Sequence, residues 1–151
     1  EVGTYKIKLL NGYIENGENV TNCVVGKNLK SGKGTFNNCN GLTELDLSIW
    51  NTTVVTDMSQ MFNGCTSLSL LRIYNNFITT NVTSYDNMFT GCTSLTTIQI
   101  PSDFPMDSRT FLEERLTEAG ILANVTFEVY QGYSLTSEDA NSVINEGEVK
   151  I

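Results

Sequence analysis

The sequence predicts an α/β chain wound into a solenoid of about five to six coils, with one parallel strand per coil, short helices or 3₁₀ turns on the opposite side, and longer helices in the C-terminal coils. Three observations predict it. A pattern opening with Phe recurs at near-constant spacing, each copy ends in an alternating apolar pair, and the two later copies are preceded by turn-like segments whose apolar residues stand three apart.

The spacing comes first. Phe36, Phe62 and Phe89 are separated by 26 and 27 residues and begin "FNNCNGLTELDL", "FNGCTSLSLLRI" and "FTGCTSLTTIQI". Upstream, Met61 matches Met88, Met58 matches Tyr85, Val55 matches Val82 and Trp50 matches Phe77. One coil of this size cannot bury its own apolar face. Coils stacked at strand spacing make a continuous core from equivalent positions, so the repeated Phe, Cys, Leu and Ile columns are the candidate core.

The elements follow in order. "TYKIKLLNGY" reads as a cap over the first sheet edge. "LKSGKGTF" holds glycines where a helix would lie, so the first coil reads as degraded. Leu45 and Leu47, Leu71 and Ile73, and Ile98 and Ile100 alternate with polar neighbours and read as strands with one buried face. "VTDMSQMF" and "VTSYDNMF" offer Thr, Asp or Ser caps to short helices or 3₁₀ turns. "DSRTFLEERLTEAG" reads as a longer helix capped by Asp107 or Ser108, with Phe111, Leu112, Leu116 and Ala119 on one face and Gly120 as its stop. Adding 27 to Ile98 and Ile100 places Val125 and Phe127 in the next strand, within "NVTFEVY". "TSEDANSVINEG" reads as another capped helix and "EVKI" as a final strand with Val149 and Ile151. The whole, 1–151, reads as one repeat domain: 1–35 an N-terminal cap and degenerate first repeat, 36–101 the core repeats, and 102–151 helix-containing C-terminal repeats or cap.

Composition narrows the function classes. Nine basic against seventeen acidic residues give a charge of −8, a field that repels phosphate backbones and anionic lipid and so argues against nucleic acid as a partner. No apolar run approaches the length of a membrane span, so membrane insertion is not expected. The opening "EVGTYKIKLL" lacks the layout of a secretory signal, which fits a removed leader or a piece of something longer.

The copies resemble known repeats. Leu42, Leu45 and Leu47 with their counterparts resemble the "LxxLxL" opening of leucine-rich repeats, and the added "FxxC" and the "IQIP" ending at Pro101 are similar to BspA-like leucine-rich repeats of bacterial surface proteins. "LTELDLSIWNTTVVTDMSQMFNGCTSL" is similar to the related surface-protein repeat written around "LDLSxWDTSxVTDMSxMFxGCxSL". The match covers roughly residues 36 to 101, and Trp50 and Phe77 stand where the repeat usually has Asn after the strand. The resemblance implies an extracellular or cell-surface solenoid that adheres to a protein or glycoprotein surface. Similar repeats in virion-associated proteins supply the alternative, a structural part of a larger assembly such as a phage virion or tail protein.

Candidate chemistry is sparse. Cys39, Cys65 and Cys92 recur at the repeat spacing, so their Cβ atoms stand about one strand spacing apart, roughly 4.8 Å, against the roughly 3.8 Å a disulfide prefers. They read as buried free thiols, with a Cys23–Cys39 bridge as the open alternative. Without histidine or a CxxC pair, no zinc site and no cofactor is expected. "GKNLKSGKGTF" imitates a phosphate loop but places Lys27 and Gly34 where the pattern needs Gly and Ser or Thr. Asn19, Asn51, Asn81 and Asn124 begin Asn-x-Thr tripeptides, which a chain rich in these residues carries by chance. Glu44 and Asp46, two apart on a strand, could mimic a glycosidase pair, but solvated positions beside buried leucines account for them, and no enzyme activity is expected.

What remains is a surface. Residues between the buried columns project outward together, giving Glu44, Asp46 and Ser48, then Leu70, Arg72 and Tyr74, then Thr97 and Gln99 as a partner-binding strand face. The competing account is an idle polar face on which Asp46 and Arg72 simply pair.

Overall fold

Three short strands recur at the spacing of the phenylalanines: β3 (Glu44–Asp46), β4 (Leu70–Arg72) and β5 (Thr97–Ile100). They belong to a computed structural model that describes residues 6–8, 22–25, 31–48, 50–130 and 148–150, the side chains within 31–48 and 50–130 among them. The remaining described strands are β1 (Lys6–Lys8), β2 (Asn22–Val25), β6 (Thr126–Val129) and β7 (Glu148–Lys150), and the described residues also form the α-helix α1 (Met106–Glu118) and a 3₁₀ turn at Leu122–Asn124. The sheet order is β1-β7-β2-β3-β4-β5-β6, with β2 to β6 parallel. The architecture is α/β. β7 forms a strand within "EVKI", as expected, but runs antiparallel beside β2 at the far side of the sheet from β6, so it is not the next turn of the stack. The expected helix at 136–147 lies outside the described residues.

Equivalent residues meet in register. Leu45 faces Leu71 and Leu71 faces Ile98. The Phe36, Phe62 and Phe89 rings stack with centroids 5.9 and 5.0 Å apart, and Trp50 meets Phe77 edge-on at 6.5 Å. The Cys39, Cys65 and Cys92 column and the Leu42, Leu68 and Leu95 column are buried beside them. Side chains of one kind thus share a dry seam, each aromatic pair adding about 0.5–1.5 kcal/mol beyond its buried area.

The segments before Phe62 and Phe89 take the second of the two expected forms: they are not continuous helices but single i→i+3 turns of the 3₁₀ type. They are consecutive turns that build a second inter-coil ladder. The N–H groups of Met58, Gln60, Phe62 and Gly64 donate to the carbonyls of Ser84, Asp86, Met88 and Thr90 at 2.8–2.9 Å. The N–H groups of Gly32, Gly34, Phe36 and Asn38 donate likewise to Asp57, Ser59, Met61 and Asn63 at 2.7–3.0 Å. Between these rungs, bonds such as Met61 N–H to Met58 C=O close tight turns. The reason lies in the backbone: every fourth residue is left-handed, at Gln60 (φ 54°) and Gly64 (φ 78°), and at Asn87 (φ 58°) and Gly91 (φ 82°). A residue in that conformation ends a right-handed helix. Apolar residues three apart suit a helix and such turns alike, which is why the pattern leaves both open.

The first coil is not degraded at these positions. Gly34 (φ 60°) occupies the same left-handed slot as Gln60 and Asn87, and Asn38 (φ 60°) that of Gly64 and Gly91. Its glycine supports the turn ladder.

The fourth coil departs from the period. α1 begins after Pro105 with no side-chain cap, so neither Asp107 nor Ser108 caps it; the Ser108 hydroxyl instead donates to the Phe77 carbonyl at 2.7 Å. Leu112 and Leu116 are buried, while Phe111 and Ala119 pack half-buried against the core. Gly120 ends the helix as expected, with its N–H on Thr117 C=O and that of Ile121 on Leu116 C=O, the paired bonds of a Schellman close. The helix lengthens the coil by two residues, so Ile98 pairs with Phe127 and Ile100 with Val129, rather than with Val125 and Phe127. An even shift preserves which face is inward. No helix among the described residues is long and apolar enough to cross a membrane.

Candidate functional site

The parallel register writes two rows across the outward strand face. One runs Glu44, Leu70, Thr97, Thr126; the other runs Asp46, Arg72, Gln99, Glu128. Successive side chains on a strand alternate, so these rows flank the buried row of Leu45, Leu71 and Ile98 and point away from it.

The second row is bonded end to end. The Arg72 guanidinium reaches Asp46 Oδ2 at 3.5 Å and donates from Nε to Gln99 Oε1 at 2.8 Å; the Gln99 amide donates to Glu128 Oε1 at 3.2 Å. The Arg72 guanidinium also lies 5.4 Å from the Tyr130 ring centre. Asp46 and Arg72 therefore do pair, at a length and partial exposure that give a surface ion pair about 0–1 kcal/mol.

Most of the expected face is assembled. Glu44 is exposed, and Asp46, Leu70, Arg72, Tyr74, Thr97 and Gln99 are half-buried on or just beyond the strands. Ser48 is not on it: it is 1% exposed, and its N–H donates to Asp46 Oδ1 at 2.9 Å. That Asx turn ends β3 and sends the chain inward toward Trp50, taking Ser48 with it. Thr126, Glu128 and Tyr130 extend the face beyond the expected residues. The alternation in "NVTFEVY" was the signal that could have found them, because its polar positions share the outward parity.

The other motifs have structural occupations. The N–H groups of Gly32 and Gly34 are spent on Asp57 and Ser59 carbonyls, which leaves those two amides no phosphate to hold; 26–30 lie outside the described residues. Cys39, Cys65 and Cys92 are buried free thiols. The side chain of Cys23 is outside the described residues. The Cys65 and Cys92 thiols donate to the Phe36 and Phe62 carbonyls at 3.0 Å, joining each coil to the one before it. Burial pushes Cys39 up to about 11 and Cys92 to about 12, and raises Cys65 as well. Asp57 moves the other way: burial raises it, but bonds from Ser59 and Ser84 and the charge of Lys33 outweigh that and lower its pKa. Asn51, Asn81 and Asn124 are exposed. Asn51 closes an Asx turn on Thr53, and Asn81 donates to the Thr53 carbonyl. Among the described residues no cluster of three or more His, Cys, Asp or Glu is placed to hold a metal.

Comparison with known proteins adds one relationship. The family model described as "Mycoplasma protein of unknown function, DUF285" matches residues 26–119, the span that holds all three copies and the whole of α1. No curated protein and no solved structure matches the chain.

Proposed function

Because the chain belongs to the Mycoplasma protein family DUF285, whose description names no activity, its function has to be read from its surface; we propose a non-enzymatic protein-recognition or adhesion module. In this reading the coils form a short leucine-rich-repeat solenoid of the BspA-like kind, of about five to six coils, displayed outside the cell or on its surface. It binds a protein or glycoprotein through the strand face.

One observation supports the reading best: the in-register rows bring Leu70, Arg72, Thr97 and Gln99 from separate coils onto one surface, with Tyr74 at its margin. The bonded row from Asp46 to Glu128 holds its polar groups in place, which lowers the ordering cost of binding. An apolar residue, an arginine and a tyrosine on a polar ground is a composition common where proteins meet.

The test is binding of the purified chain to immobilised mucin and to fibronectin. The reading expects saturable binding to at least one, weakened tenfold or more by Leu70→Asp and by Arg72→Glu with circular dichroism unchanged. Equal binding by the folded variants, or none by the parent chain, overturns it. Recovery of the chain only in ordered assemblies would favour the structural alternative.

A further inference from the structure

The turn ladder has an unfinished end. In the first two copies, the N–H groups of Gly34 and Phe36 find Ser59 and Met61 carbonyls, and those of Gln60 and Phe62 find Asp86 and Met88 carbonyls. In the third copy the equivalent donors are Asn87 and Phe89. The next coil supplies α1 instead of a turn segment, and among the described residues these two N–H groups meet no acceptor. Both residues line a cleft of about 320 Å³, together with Asp86, Met88, Thr90, Arg115, Glu118 and Ala119.

Arg115 lines the same cleft. Arg115 is 7% exposed, its guanidinium lies 3.8 Å from the Tyr85 ring centre, and its Nη2 donates to Glu118 at 2.9 Å, yet its Nε is buried without a partner. A buried donor left unmatched costs about 1–3 kcal/mol, which marks this end of the ladder as incompletely satisfied in the free protein.

The chemistry of an entering acceptor is constrained. Donors alone would suit an anion. But Arg115 already faces the carboxylates of Glu114 and Glu118, Asp86 is exposed at the rim, and the chain carries a charge of −8. A neutral acceptor is favoured, and the two preceding copies show which kind this ladder takes: backbone carbonyls from alternate residues of a neighbouring segment. The acidic rim adds a preference for a cation on the incoming chain.

We infer that this cleft is a docking groove for an extended peptide carrying lysine or arginine, held through its backbone carbonyls by the N–H groups of Asn87 and Phe89. The peptide adds a rung to an open ladder, the logic of strand addition at a sheet edge. The groove shares no residue with the strand face, so either surface can fail without the other.

The test uses the full ¹⁵N-labelled chain and the blocked peptide acetyl-Ser-Lys-Ser-Lys-Ser-amide. In the free chain the Asn87 amide should exchange with solvent at least tenfold faster than that of Gln60. Peptide should shift the Asn87 and Phe89 signals saturably and slow exchange at Asn87, and the exposed-site variant Asp86→Lys should weaken binding fivefold or more. A protected Asn87 amide in the free chain, or signals unmoved up to millimolar peptide, overturns the proposal. So does equal binding of the same peptide with glutamate in place of lysine, which would mark an anion site on Arg115.

Discussion

The side-chain oxygen of Asn38 stands too close to the place of a Cβ on Gly64 for both to fit, so Asn38 lies directly against the backbone of Gly64 in the next repeat. Gly64 is also left-handed, at φ 78°. Gly120 is left-handed as well, at φ 75°, but has nothing within 4 Å of its missing Cβ. Gly120→Ala should therefore cost only the backbone strain, about 1–2 kcal/mol. Gly64→Ala adds a clash that the Asn38 side chain must turn aside to relieve, with Asn38 Cα 3.3 Å behind it, and should cost up to about 1–3 kcal/mol more, read from urea midpoints. Asn38→Gly in the Gly64→Ala background should recover most of that excess, since glycine accepts the φ of 60° at position 38.

Thr52 uses one hydroxyl as a ladder rung. It is fully buried; its Oγ1 donates to the Ile78 carbonyl at 2.7 Å and accepts from the Ile78 N–H at 2.6 Å. Thr52→Val keeps the volume and strands both backbone groups, so it should destabilise by roughly 2–4 kcal/mol. Thr52→Ser keeps the hydroxyl and should cost no more than about 1.5 kcal/mol, for a lost methyl. If the two variants unfold at the same urea concentration, the rung contributes nothing.

The thiol column predicts a pH dependence. Burial holds Cys39 and Cys92 protonated to about 11 and about 12, against a usual value of 9.0, and raises Cys65 in the same direction. Unfolded thiols ionise as pH passes about 9, while the folded ones do not. The unfolded state then binds fewer protons, so stability is full below pH 9 and falls above it, by up to roughly 1.4 kcal/mol per pH unit for each thiol. Cys92→Ala should start less stable at pH 8 and show a shallower decline between pH 9 and 10.5. A decline as steep as the parent's would place its cause elsewhere.

Much of the fold was legible because burial columns are encoded directly: Phe36, Phe62 and Phe89 mark the period, and pairs such as Leu71 and Ile73 mark the inward parity of each strand. The turn ladder was hidden by a degeneracy. A left-handed slot filled in turn by Gly34, Gln60 and Asn87 shows no repeated residue type, and Met58 and Met61, three apart, fit a helix equally well. The register of β6 was missed because spacing cannot report how many residues α1 consumes. Ser48 was misplaced because the alternation it extended stops at the Asx turn on Asp46, which depends on one side chain bonding its own backbone. The open donors at Asn87 and Phe89 have no sequence signature, since what marks them is the lack of a fourth turn segment.

The turn ladder and the strand ladder both join the same successive repeats, one through the residues around Phe36, Phe62 and Phe89 and the other through Leu45, Leu71 and Ile98. Two fastenings per repeat mean that freeing one repeat from the next requires both to open, so neighbouring repeats should come apart as units instead of fraying along one edge.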